Sequence, residues 1–243
     1  PVEGGRMKRA SWIPLRPAVL CFAITLAGCV PNSHEFVPDE GDLLFQDLDG
    51  SPICDAIEKV TFGVDGAGFC HVGIATADVN GEPAVIEAYD TVEILSLNDF
   101  LARARDEAGR PRVVVGRLKE RYRSLIPAAI RHARGLIGAP YDPFFLPDNG
   151  RFYCSELVSE CFRDPDGNML FGPAPMNFKE SSGGEPMAIW KDYFFKLGTP
   201  VPEGVPGMNP GALSRSDRIS IIHAYGRPRG WDETTWRRFG RQP

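Results

Sequence analysis

Cys154 stands where a thiol can become a nucleophile. Leu157, Val158, Cys161 and Phe162 follow it at helical spacing, so residues 151–162 predict an amphipathic helix that begins at or just after the cysteine. The unpaired N–H groups and the positive dipole end of a helix start favour an anion there, which activates a thiol. A buried core cysteine is the competing reading, since free cysteine is among the most buried residue types. His71 lies inside a predicted strand among small and β-branched residues, and Glu87 interrupts an otherwise apolar strand, where an unpartnered buried carboxylate is costly. Thiol, imidazole and carboxylate are the three parts of nucleophilic acyl transfer: attack, proton transfer and orientation of the base. Singly, His71 reads as a satisfied core histidine and Glu87 as an edge-strand charge; their joint placement is the signal. Tyr141 and Tyr153 are candidate oxyanion or substrate donors. Phe144, Phe145, Trp190, Tyr193 and Phe194 are candidate groove-lining rings, with ordinary core packing as the alternative for all of these aromatics.

The elements that must position these residues are short. Residues 41–46 read as a first strand, 52–62 as a weak helix, and 70–76 and 83–89 as two strands joined at Asn80-Gly81. A two-residue turn there pairs Ile74 with Glu87 and leaves His71 about three positions along the ladder. Strands at 91–95 and 112–118, a surface helix at 97–107 and a helix at 124–136 with Pro127 in its first turn follow. An aromatic and proline-rich loop, 141–152, delivers the chain to Cys154; residues 186–197 are a further amphipathic helix and 219–222 a last strand. The 22 prolines and 26 glycines imply long connections rather than a helical bundle, and no internal repeat is present.

Residues 1–28 have the layout of an export signal, with Arg6, Lys8 and Arg9, an apolar run and small residues before Cys29. About 12 apolar residues are too few to span a bilayer, for which roughly 20 are needed. Leu26-Ala27-Gly28-Cys29 resembles a bacterial lipobox, which implies cleavage before Cys29 and lipid on its sulfur, with residues 29–40 as a tether. The expected location is the bacterial cell envelope, lipid-anchored to a membrane. Loss of four basic groups and one acidic group with the signal takes the formal charge from −5 to −8. An acidic body without a basic stripe argues against nucleic acid as a partner. Residues 226–243 are rich in arginine and tryptophan and read as a solvated terminal extension. Of the cysteines left in the body, Cys154 and Cys161 are two helical turns apart and beyond disulfide reach, while a Cys54–Cys70 bond stays open. The chain lacks a G-x-S-x-G elbow and an H-E-x-x-H helix, and no metal or cofactor is expected.

Gly41-Asp42-Leu43-Leu44-Phe45, His71-Val72-Gly73-Ile74, Val85-Ile86-Glu87-Ala88, Gly138-Ala139-Pro140-Tyr141-Asp142 and Tyr153-Cys154-Ser155-Glu156-Leu157-Val158 together resemble the ordered motifs of the YiiX-like permuted papain-fold cysteine hydrolases of the NlpC-type superfamily. The resemblance implies an α+β fold over residues 41–225, in which permutation puts the histidine strand before the cysteine helix. It implies Cys154 as nucleophile, His71 as general acid and base, and Glu87 as the third member. Cleavage of peptide or cell-wall peptide amides is the implied activity. Lipid acyltransferases of the lecithin–retinol type are permuted relatives, and look to have a second histidine where this chain has Glu87. A thiol acyltransferase and a catalytically idle binding lipoprotein are the alternatives.

Overall fold

Runs of Leu, Val, Ile and Ala alternate between two faces of one sheet, and that alternation decides which side of the molecule His71 and Glu87 face. The structure, a computed structural model, describes residues 36–48, 50–180 and 183–239. The export segment and Cys29 lie outside the described residues. In chain order the elements are β1 (Leu43–Gln46), α1 (Pro52–Val60), β2 (His71–Ala77), β3 (Pro83–Ala88), β4 (Val92–Ser96), α2 (Leu97–Ala102), β5 (Val113–Leu118), α3 (Ile126–Gly135), α4 (Cys154–Cys161), β6 (Ala174–Pro175), α5 (Ala188–Lys196), β7 (Pro206–Gly207), α6 (Pro210–Ser214), β8 (Ile219–Ala224) and α7 (Glu233–Phe239). Six strands form one antiparallel sheet in the order β4-β3-β2-β1-β5-β8, and β6 pairs with β7. The fold is α+β, as expected.

On one face, Phe45, Val72, Ile74 and Ile86 pack with Leu157 and Val158 of α4 and with Ala129, Ile130 and Ala133 of α3. On the other, Leu44, Ala75, Val85, Val113 and Val115 lie under Leu97, Phe100 and Leu101 of α2. Gly73 belongs to this second face; a Cβ there would meet Val85 Cγ1 at 2.4 Å, so only glycine admits the close cover. Alternation places His71 and Glu87 on the α2 face too. A third cluster joins α5 to α1 through Trp190, Phe194, Phe178 and Ala56.

The β2–β3 hairpin corrects the expected register. Ile74 pairs with Ile86 and Ala77 with Pro83. Asp78 N donates to Glu82 O at 2.8 Å and closes a three-residue loop in which Gly81 takes a φ of +85°. The Asp78 carboxylate secures that loop by accepting from Asn80 N and Glu82 N. This is the common three-residue hairpin ending in a left-handed residue, rather than a two-residue turn. The one-residue difference matters, because pairing Ile74 with Glu87 would put Glu87 and His71 on opposite faces, whereas the observed register puts them on the same one.

Other differences are local. The helix expected to reach residue 107 stops at Ala102, where Arg105 and Pro111 bridge across a turn at Gly109. Residues 120–125 form a 3₁₀ turn ahead of α3. Cys54 and Cys70 are disulfide-bonded, which the sequence left open, while Cys154 and Cys161 are free. Residues 226–231 are no solvated extension: Trp231 is 2% exposed, its Nε1 donates to Val64 O, and Arg229 engages Asp47, Asp55 and Glu58. Among the described residues, no helix is long and apolar enough to cross a membrane.

Candidate active site

The loop before α4 is built around a buried carboxylate. Asp142 accepts from Phe144 N at 3.0 Å and Leu146 N at 2.7 Å, and its own N–H donates to Phe152 O. Tyr141 bridges to Phe152, so the chain enters α4 beside Tyr141, with Cys154 as the first helical residue. Ser155 Oγ donates to Met208 O, and Tyr153 Oη accepts from Met208 N, which fastens the β7–α6 connection over the helix start. The first-turn N–H groups of α4 have no preceding helical carbonyl to bond and supply a local positive potential.

His71 and Cys154 line the same cleft. His71 Nε2 lies 2.6 Å from Glu87 Oε2, and the Cys154 thiol is near enough to act on the imidazole. Burial opposes a charge on His71, but the hydrogen bonds and charges of Cys154 and Glu87 outweigh it and push its pKa up to about 9. Burial likewise opposes charge on Glu87, yet His71 and Arg103 hold its carboxyl below the usual range. Arg103 Nη1 donates to Glu87 Oε2 at 2.7 Å, and Arg103 Nη2 donates to Glu87 Oε1. Cys161 contrasts with this arrangement, its thiol pushed up to about 12 by burial and placed among apolar neighbours of the core.

Cys154 stands between two parts of the cleft. One, an apolar cavity, is lined by Ile57, Val60, Phe145, Phe178, Trp190 and Met208 among others. The other is more polar, with Ser51, His71, Tyr89 and Arg103 in its walls. Tyr141 borders both parts, and the Cys54–Cys70 disulfide forms wall beside them.

The family model of the permuted papain-like amidase enzyme, YaeF/YiiX, C92 family, matches residues 37–223. The chain belongs to that family. It is accordingly a cysteine hydrolase of the papain-like superfamily. A crystal structure of the metalloprotein YiiX from Escherichia coli O157:H7 shares the fold, with a TM-score of 0.62 and 24% identity over 79% of this chain and 99% of that one. No curated protein matches. In this C92-family chain, no group of three or more His, Cys, Asp and Glu among the described residues is placed to hold a metal ion. Both oxygens of Glu87 are hydrogen-bonded, to His71 and Arg103.

Of the residues singled out in the sequence, Cys154, His71, Glu87 and Tyr141 come together, while Tyr153 lines only the apolar part with its phenol bonded to the Met208 backbone. Burial raises the phenol pKa of both tyrosines, so each stays a neutral donor near pH 7. Phe145 and Trp190 line the cavity; Phe194 is core, edge-on to Phe178 and Tyr193 and tilted against Trp190. Arg103 drew no attention in the sequence, and Asp142 stood there only as the last residue of the motif at 138–142, without a role. Arg103 lies in Arg103-Ala104-Arg105 after a short helix, which reads as a solvated charge run; Asp142 carried a signal in its place within an otherwise apolar Tyr-Asp-Pro-Phe-Phe loop.

Proposed function

We propose that this family member hydrolyses peptide or cell-wall peptide amides at a bacterial envelope membrane, to which a lipid on Cys29 ties it. The observation that supports the reading is the convergence of Cys154, His71 and Glu87 at the first residue of α4. With imidazolium favoured, the thiolate of Cys154 attacks the scissile carbonyl carbon and the C=O electrons move to oxygen. The α4 N–H groups receive that oxyanion, with Tyr141 able to add a phenolic donor. His71 passes its proton to the leaving amine as the C–N bond breaks and the acyl-enzyme forms. It then takes a proton from water, whose attack on the thioester releases the acid and restores the thiol. Glu87 holds the imidazole in orientation throughout.

The apolar cavity beside Cys154 favours a second reading, in which a lipid acyl chain is transferred through the same thiol. Offering purified protein short cell-wall peptides and phospholipids in parallel separates the two. Released amino acids or peptides that disappear in Cys154→Ser support the amidase, and an acyl chain on Cys154 detected by mass spectrometry supports the transferase. Neither product, with peptide retained, would leave an idle binder. For the anchor, Cys29→Ala is expected to leave the membrane pellet on fractionation, and a variant that still sediments removes the lipid from the reading.

A further inference from the structure

The Glu87 carboxylate is 0% exposed, and cations from two different elements share it. Oε2 lies 2.6 Å from His71 Nε2 and 2.7 Å from Arg103 Nη1, and Oε1 accepts from Arg103 Nη2. Arg103 caps the end of α2, with its guanidinium 4.4 Å from the Tyr89 ring centre and 5.8 Å from that of Phe100. The same two rings flank His71 at 5.7 and 5.9 Å. Two aromatic walls therefore confine His71, Glu87 and Arg103 in one row. We propose that Arg103 is a positioning residue for the acyl-transfer site: its bidentate fork fixes the plane and the negative charge of Glu87, and through Glu87 keeps His71 charged and aimed at Cys154.

This inference rests on the triad reading above. A two-point fork fixes a carboxylate plane, which a single ammonium does not. It also balances the row. Thiolate, imidazolium, carboxylate and guanidinium sum to zero, whereas removal of Arg103 leaves a net negative charge in a largely buried site. That excess disfavours the thiolate and lets Glu87 take a proton at higher pH, two effects of the same sign. The remaining titratable groups facing the row are Glu93, in register opposite Glu87 on β4, Tyr89, and Tyr141 and Tyr153 beside Cys154; none is a cation.

The test is the pH dependence of Cys154 alkylation by iodoacetamide, read by mass spectrometry, with buried Cys161 as an internal control for an intact fold. Arg103→Gln is expected to move the acid limb up by about one pH unit, which is about tenfold slower labelling below the limb. Arg103→Lys should recover part of the shift, because it keeps the charge and loses the fork. In a Glu87→Gln background, Arg103→Gln should add a smaller shift, because only its direct charge on the thiolate is then lost. A wild-type profile in Arg103→Gln with only a lower melting temperature overturns the inference, as does a shift that persists undiminished beside Glu87→Gln. If Arg103→Gln does not fold, the same comparison is made with Arg103→Lys, alone and with Glu87→Gln. A His71→Ala profile identical to wild type would instead remove the triad reading itself.

Discussion

At the scale of single side chains, His71 decides the alkaline behaviour of the site. Its pKa is pushed up to about 9, so the proton it gives to a leaving amine is present through neutral pH and lost as pH rises through about 9. Turnover measured against pH should fall on that limb. Glu87→Gln removes one of the charges that raise His71, so the limb should move to lower pH, with a loss of about 10²- to 10⁴-fold in kcat/KM. His71→Ala should cost more than Glu87→Gln, and the double variant Cys154→Ser with His71→Ala should be little worse than either single one, because the residues act as a unit. Roughly additive losses would separate the residues into independent roles. Cys154, His71 and Glu87 were legible in the sequence because each is a polar group set in an apolar stretch or at a helix start. Arg103 was not, since its burial comes from Tyr89 and Phe100 and from a fold that brings α2 over β3.

At the scale of elements, α4 carries a cost at the end that holds Cys154. Burial first, then the nearby charges of Asp142, Glu160 and Asp148, push Glu156 to about 8 against the backbone hydrogen bond from Tyr153. Between the ordinary value of 4.5 and about 8 the folded chain keeps a proton on Glu156 that the unfolded chain has released. Stability from this group is therefore lost as pH rises through that window. Glu156→Gln keeps an oxygen to accept from Tyr153 N and cannot ionise. Its stability relative to wild type should grow steadily from pH 5 to pH 8 in urea unfolding, and a difference that stays flat with pH would show that Glu156 ionises normally. The existence and order of the six sheet strands and of α1 to α5 were readable from periodicity and turn residues, whereas the short β6, β7, α6 and α7 were not. The β2–β3 register was not, because the Asp78 carboxylate and Gly81 select a three-residue loop by a balance of local hydrogen bonds that the Asn-Gly pair conceals.

At the scale of the whole molecule, the chain after β8 closes back on the wall of the cleft. Arg229 bonds Asp47 beyond β1 and reaches Asp55 and Glu58 on α1, the helix whose Ile57 and Val60 line the apolar cavity. Gly68 N donates to Arg229 O, and Trp231 sits in the main core with Leu213 and Val158 while its Nε1 donates to Val64 O at 3.0 Å. Terminal position and arginine content suggested a solvated tail, and partners 167 to 182 residues away leave no trace in a local pattern. The energetic weight lies with Trp231 rather than with the ion pairs, because Arg229 is 41% exposed and such pairs contribute little. Trp231→Ala should lower the free energy of unfolding in urea by about 3–5 kcal/mol, the usual cost of removing a buried tryptophan. Arg229→Ala should cost less, and a chain ending at residue 225 should lose at least as much as Trp231→Ala. A Trp231→Ala variant within about 0.5 kcal/mol of wild type would mean that the segment behaves as an exposed surface extension in solution.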